Sequence, residues 1–292
     1  MRIARLLKDP PPALAFELSE AGIASAPTAR PEEMGFRALA PDTISVSPLR
    51  DNVLRPDELA SAVRASAPAA GKRRTAAVIL PDNCTRVAVV DFDSFPTDPK
   101  EQLSLVRFRL KKSVPYDVEA AAVSYWAQAP VAKRVDVVAA VAPVEIVARY
   151  EAPFRAAGLE PGLVVPSALA MLRLIPAGEL AVVAKLSGRV LTLMVVETGT
   201  LKLFRCLELA AATIDDVASD LYPTCVFAED QLERKPSALL LAGFGGLTDP
   251  ARQRFHDELG LRVDPLASRL GAPGAHNAGL LGYLEWARAE AA

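Results

Sequence analysis

The chain has 292 residues, 51% of them apolar, with 33 basic against 35 acidic side chains and a net charge of -2. That length supports about two ordinary domains with cores of their own and argues against disorder on a large scale. The charge balance excludes a global attraction to nucleic acid or to an anionic membrane, so any electrostatic partnership must be local.

The first residues, MRIARLLKDPPP, are basic and apolar, but they reach Lys8, Asp9 and three prolines before a signal core can form, so export is not expected. LAFELSEAGIASA (14–26) reads as a hairpin turning near Glu20 and Gly22, and TISV from Thr43 as a short strand. A helix follows Pro56, with Asp57 and Glu58 in its first turn, where carboxylates favour the positive end of the helix dipole. Lys72, Arg73 and Arg74 read as a solvated loop. TAAVIL from Thr75 and CTRVAVVDF from Cys84 are β-branched runs separated by Pro81, Asp82 and Asn83, which predicts an antiparallel pair.

The helix from Pro99 to Lys112 is the best marked: Asp98 caps it, Pro99 suits its first position and Glu101 completes a capping box. Leu103, Val106 and Leu110 form its inward stripe, and Lys100, Ser104, Arg107 and Lys111 an adjacent polar face. Pro115 forces Val114 out of helical geometry, so the chain turns before Tyr116. Val135 to Val141 is almost wholly apolar, as in a strand covered on both sides. The helix after Pro143 runs to a Gly158 stop, and Pro153 is expected to kink or split it. A second buried strand leads to a helix opened by Pro166.

IPAGE (175–179) marks a boundary, after which AVVAKL, RVLTLMVVE and TLKLFRCLEL form a meander with turns at Gly188 and Gly199. A helix capped by Thr213 is expected to be interrupted at Pro223. The strand ALLLAG from Ala238, a helix from Asp249 to Leu259 and a last helix from Asn277 to Ala289 complete the chain, with no internal repeat visible. Spanning a bilayer needs roughly 20 apolar residues, and Lys185 and Arg189 interrupt the longest apolar tract, so no membrane span is expected.

Familiar catalytic constellations are missing. Cys84, Cys206 and Cys225 are too widely spaced for a disulfide framework or a metal site and read as small buried apolar residues in a reducing cytoplasm. His256 and His276 stand in no ligand motif. Asp91 and Asp93 read as a solvated strand end, and Asp215 and Asp216 as first-turn helix carboxylates. No GKS or GKT phosphate loop occurs, and GFGG lacks the spacing of a dinucleotide fingerprint.

The stretch RFRLKKSVPYDVEAAAVSYW (107–126), followed by VVAAVAPVEIVARYEAPFRAAGLEPGLVVPSALAML (137–172), resembles the PilM family of type IV pilus assembly proteins, actin-like components of the bacterial inner-membrane pilus platform. The resemblance covers most of the chain in order and is tightest from Arg107 to Leu172. It implies an α/β, actin-like (ribonuclease H-like) two-domain fold. A first domain would cover 1–176 with an inserted subdomain at about 93–134, a second 177–275, and a C-terminal helix, 276–292, would pack back on the first.

The function implied is that of a cytoplasmic scaffold, peripheral to the inner membrane, that receives the cytoplasmic N-terminal peptide of a PilN-like single-span membrane protein and works among other pilus platform proteins, with no nucleic-acid partner. Three alternatives stay open: an ATP-binding actin-like protein, either an active pilus ATP-binder or a filament former; a component resembling the cytoplasmic domain of a type II secretion platform; and a small-molecule kinase of the same superfold.

Actin-like folds hold ATP between glycine-containing hairpins, with acidic residues holding magnesium directly or through water. By resemblance the nucleotide position would fall at Ser19, at Lys185, Ser187 and Gly188, and at Gly243, Gly245 and Gly246. The first hairpin offers Glu17, Leu18, Ser19, Glu20 and Ala21 without the close-approach glycines, and at the second Lys185 replaces the family acid. A lysine cannot ligate magnesium, and like charges about 4 Å apart repel by about 4 kcal/mol at an effective dielectric of about 20. AGFGGL (242–247) keeps the third glycine turn, which also reads as a tight strand-to-helix loop. The expectation is therefore no ATP hydrolysis, no catalytic residues, no metal and no required cofactor, with ATP binding disfavoured. For the partner peptide, Leu103, Val106, Phe108, Leu110 and Tyr116 beside Arg107 and Lys111 suit an apolar groove with a polar rim, although a solvated helix face explains the same basic residues.

Overall fold

The computed structural model describes residues 10–67, 74–130, 134–178 and 180–291; most of the N-terminal lead, Lys72, Arg73 and Glu179 lie outside the described residues. The chain opens with β1 (Leu14–Leu18), β2 (Gly22–Pro27) and β3 (Gly35–Ala38), then α1 (Pro56–Ser66) and β4 (Arg74–Leu80). It continues through β5 (Arg86–Phe92), α2 (Pro99–Leu110), β6 (Ala121–Ala127), β7 (Val135–Pro143), α3 (Val144–Ala156), β8 (Leu159–Pro166) and the short α4 (Ser167–Met171). β1, β2, β3, β4 and β8 form one sheet in the order β3-β2-β1-β4-β8, antiparallel across the β1–β2–β3 meander and parallel from β1 through β4 to β8.

After Leu180 the same plan recurs. β9 (Ala181–Ser187), β10 (Val190–Glu197) and β11 (Thr200–Glu208) form a meander, followed by α5 (Ile214–Leu232), β12 (Ala238–Ala242), α6 (Thr248–Leu259), β13 (Arg262–Pro265) and α7 (Ala278–Ala291). The second sheet has the order β11-β10-β9-β12-β13, with β9, β12 and β13 parallel. The two halves thus share one topology although no repeat is visible in the sequence. Burial pattern and turn chemistry can specify the same sheet with different side chains.

Strand alternation decides what covers each face. Leu14, Phe16 and Leu18 face α1 and α3 with Leu59, Val63, Tyr150 and Phe154, while the small Ala15 and Ala77, with Ile79, receive α7 with Leu280, Tyr283 and Leu284 on the other face. In the second half Val182, Ala184 and Leu186 face α5 and α6, and Ala181 and Val183 face inward toward α4, α7 and a third sheet of order β5-β7-β6. β7 is the central strand of that sheet. Val137, Ala139 and Val141 pack against α2, and Val138 joins the core shared with the second half, which explains its apolar run.

Several expectations are corrected. β4 and β5 do not pair with each other: β4 lies between β1 and β8, and a short 3-10 turn at Asp82–Cys84 sends β5 to the third sheet. TISV is not a strand; only an isolated bridge joins Ile44 to Val53. The segment before Val135 contains a true edge strand, β6, and β13 was not anticipated at all. Pro153 and Pro223 do not divide their helices, which run continuously as Val144–Ala156 and Ile214–Leu232. Pro153 stands within the last turn of α3, so the single backbone bond it removes has little helix beyond it to disrupt. The helix cap at Asp98, the left-handed Gly158 after α3 and the Thr213 cap of α5 are as expected.

Candidate functional site

In both halves the parallel strands end toward a common cleft, which is where ligands sit in open α/β sheets. β1 brings Glu17 to it, the end of β4 brings Asp82, β8 delivers Ser167 and Ala168, and β9 and β10 bring Lys185 and Thr192. Glu17-Leu18-Ser19 and Lys185-Leu186-Ser187 close the first strand of each half, so opposite charges occupy matching places in the two halves.

These groups are sealed from water. Glu17, Asp82 and Lys185 are each 2–3% exposed. Lys185 Nζ donates to Asp82 Oδ2 at 2.7 Å, Thr192 Oγ1 donates to the same oxygen at 3.1 Å, and the Ala168 amide donates to Asp82 Oδ1 at 2.6 Å. Glu17 accepts from the Ser167 hydroxyl and, at 2.7 Å, from the amide of Leu280 in the first turn of α7. Buried charges persist only when compensated: Lys185 and Asp82 form an ion pair, and Glu17 is held by two hydrogen bonds. Burial pulls the Lys185 ammonium down, but Asp82 and then Glu17 outweigh it and hold it above its ordinary value. Burial raises the Glu17 carboxyl, with Lys185, Ser167 and Leu280 opposing. Lys185 is an ammonium at neutral pH.

The loops flanking this network are largely committed to the protein itself. The amides of Ser19 and Gly22 bond back within their own hairpin, and a Cβ on Gly22 would overlap the Arg37 carbonyl oxygen, so this glycine serves the approach of β3. The Glu20 carboxylate accepts from the Val46 amide at 2.8 Å and pins the 43–53 loop. Ser187 Oγ donates to the Ala275 carbonyl at 2.8 Å. Gly243, at φ +78°, admits the Leu186 carbonyl and Ala275, so the AGFGGL turn is required by its packing on β9 and the segment before α7. Of the glycines expected at the nucleotide position, Gly188, Gly245 and Gly246 have open space where a Cβ would stand, and Gly243 does not. A magnesium ion does not fit beside Asp82, whose carboxylate already holds the Lys185 ammonium, and the Ser19 and Gly22 amides of the first hairpin are engaged within it.

Beside the network lies an open cleft of about 740 Å³ whose wall includes Ser19, Arg50, Ser187, Gly188, Arg189 and His276. Arg189 pairs with Glu208 at 2.5 Å, and His276 stacks on Phe36 with ring centroids 5.6 Å apart. Burial, with Lys185 next, depresses the His276 pKa below its ordinary 6.5. Sequence reasoning missed Asp82, read there as turn composition, and missed His276 as a cleft residue. The one available signal for Asp82 was an acid directly after a buried strand, and its Pro81-Asp82-Asn83 setting masked it.

The residues expected to form a peptide groove divide by burial. Val106 and Leu110 are fully buried against β7, and Leu103 is half-buried, so the inward stripe is core and not groove wall. Tyr116 is half-buried and donates to the Val141 carbonyl at 3.1 Å; Arg107 pairs with Glu119 at 3.3 Å. Phe108 is 74% exposed, and Lys111 is exposed. A groove of about 580 Å³ does lie along α2, one turn nearer its start, between Ser94–Pro96 and Lys100, Glu101, Ser104 and Leu105. Asp91 is not simply solvated; it pairs with Arg109 and Arg134. Cys84 and Cys225 are buried and Cys206 half-buried, with burial pushing the Cys206 thiol up to about 12 and that of Cys225 to about 11. Among the described residues no group of side chains could hold a metal, and no helix is long and apolar enough to cross a membrane.

No protein-family profile matches the sequence, and no curated protein matches it. The structure is similar to a chain of the PilM-PilN type IV pilus biogenesis complex, with 18% identity, a TM-score of 0.73 and coverage of 94% of this chain and 98% of that one. It is also similar to a protein of actin-like ATPase fold and unknown function from Bacteroides thetaiotaomicron VPI-5482, with 13% identity, a TM-score of 0.53 and coverage of 93% and 95%. The fold is actin-like. At these identities the likeness is one of architecture: two sheets of one topology around a central cleft, with the β5-β7-β6 sheet inserted in the first half.

Proposed function

We propose that this chain is a non-catalytic scaffold of a type IV pilus inner-membrane platform, held at the cytoplasmic side through the N-terminal peptide of a PilN-like membrane protein. Support for its place in such a platform comes from the fold, shared over nearly the full length of both chains with a component of the PilM-PilN complex. One observation carries the non-catalytic reading: the ammonium of Lys185, paired with Asp82 and sealed at the strand ends where an actin-like ATPase needs a metal and phosphates. An enzyme that turns over ATP needs cation, phosphate cradle and positioned water together. The Ser19 and Gly22 amides and the Ser187 hydroxyl, which could serve such a cradle, are here bonded within the protein itself.

For the partner peptide the favoured surface is the outer face of α2. Phe95, Pro96 and Leu105 supply an apolar trough, Phe108 a neighbouring anchor, and Lys100, Glu101 and Ser104 a polar rim. Fluorescence anisotropy with a labelled peptide copying the cytoplasmic N-terminal segment of a PilN-like single-span protein from the same organism tests the reading. Leu105→Glu and Phe108→Ala should each weaken binding about tenfold, or about 1.4 kcal/mol, with Arg189→Ala in the cleft unchanged. No binding by the wild type would end the scaffold assignment. Binding that ignores both substitutions would move it off α2.

A further inference from the structure

Lys185 invites a stronger reading than loss of a ligand. The three buried ionisable groups come from both halves: Glu17 lies near the end of β1 and Asp82 in the turn just after β4 of the first sheet, and Lys185 lies near the end of β9 of the second. Among the described residues Lys185 is the one buried cation of this cluster, its Nζ 2.7 Å from Asp82 and its charge felt by Glu17. The carboxylates are themselves held by the first turns of α4 and α7 and by Ser167 and Thr192, so the anionic side of the junction is rigid and preformed.

We infer that the Lys185 ammonium is a built-in replacement for a divalent cation, clamping the two halves of the fold through Asp82 and Glu17 so that the closed arrangement forms without any ligand. This inference rests on the reading of the cleft as one that takes no nucleotide, and adds what replaced it. The side chain brings its cation covalently, so there is no association entropy to overcome and no dependence on the metal's concentration. Removing it frees Asp82 Oδ2 beside Thr192 Oγ1, with Glu17 close enough to feel the charge at that place, a set of hard oxygen donors suited to Mg²⁺ or Mn²⁺ and to no soft metal. The chain as it stands therefore ignores divalent cations, and a chain lacking only the ammonium should answer to them.

The test is thermal unfolding of the full chain with EDTA and with millimolar Mn²⁺ and no nucleotide. Lys185→Ala should unfold on the order of 10 °C lower than wild type in EDTA, as expected when one partner of a buried pair is removed. Saturating Mn²⁺ should restore at least about 4 °C of that loss. Wild type and the double variant Lys185→Ala/Asp82→Asn should show no Mn²⁺ response. A Lys185→Ala protein that ignores Mn²⁺, or a wild type that responds equally, overturns the inference. Should Lys185→Ala be insoluble, it is refolded from urea with and without Mn²⁺: recovery only with the ion supports the inference, and failure under both conditions counts against it. Nucleotide is absent throughout, so this result is independent of whether wild type binds ATP, and the two readings fail separately.

Discussion

At the scale of single residues, the outcome at Lys185 was half legible. Its mismatch with a magnesium site could be read from its side chain alone, because an ammonium cannot donate a lone pair to a metal. Its partner could not. Asp82 lies 103 residues away in the chain, and only the meeting of two sheets brings them together. His276 is a similar case, a lone histidine in the sequence that the fold seats against Phe36 near Lys185. Its depressed pKa means that the folded state prefers neutral imidazole. The stability this contributes is present above the ordinary value of 6.5 and is lost as pH falls through the lower folded value. Glu17, raised in the folded state, acts in the opposite sense and favours folding as pH falls. Unfolding midpoints measured from pH 7 downward should therefore fall less steeply in His276→Gln than in wild type; identical slopes would show that the ring is not coupled to folding.

At the scale of elements, caps and stops were readable because their chemistry is local. The Asp98 and Thr213 side chains accept amide hydrogen bonds within three residues, and Gly158 takes φ +76°. Pairing of β4 and β5 was misread because a Pro-Asp-Asn turn says that the chain bends and not which sheet receives it. The role of α7 was invisible for a related reason. Gly279 and Gly282 look like weak helix positions, yet each lets α7 approach the neighbouring backbone closely. A Cβ on Gly279 would stand 2.7 Å from Ser167 Oγ, and one on Gly282 would overlap the Ala170 carbonyl. Gly282→Ala should accordingly destabilise by about 1–3 kcal/mol in denaturant unfolding, despite the higher helix propensity of alanine. A neutral or stabilising result would mean that α7 does not pack on α4 in this way.

At the scale of the whole molecule, the alternation of hairpin, helix and parallel strand was enough to anticipate two similar halves, while their exact correspondence emerged only from the strand orders. Matching positions at the ends of β1 and β9 carry a glutamate in one half and a lysine in the other, so the junction is held by opposite charges of the protein's own. α2, which covers the inserted sheet, projects Phe108, the most exposed large apolar side chain among the described residues. A buried pair removed on one side only should also behave non-additively. In a double-mutant cycle by denaturant unfolding, Lys185→Met and Asp82→Asn should each cost about 3–5 kcal/mol and together much less than their sum. The most direct measurement is a calorimetric titration of the purified full chain with ATP in the presence of Mg²⁺. The account predicts no heat of binding up to millimolar nucleotide and no change in unfolding temperature; saturable low-micromolar binding would contradict it.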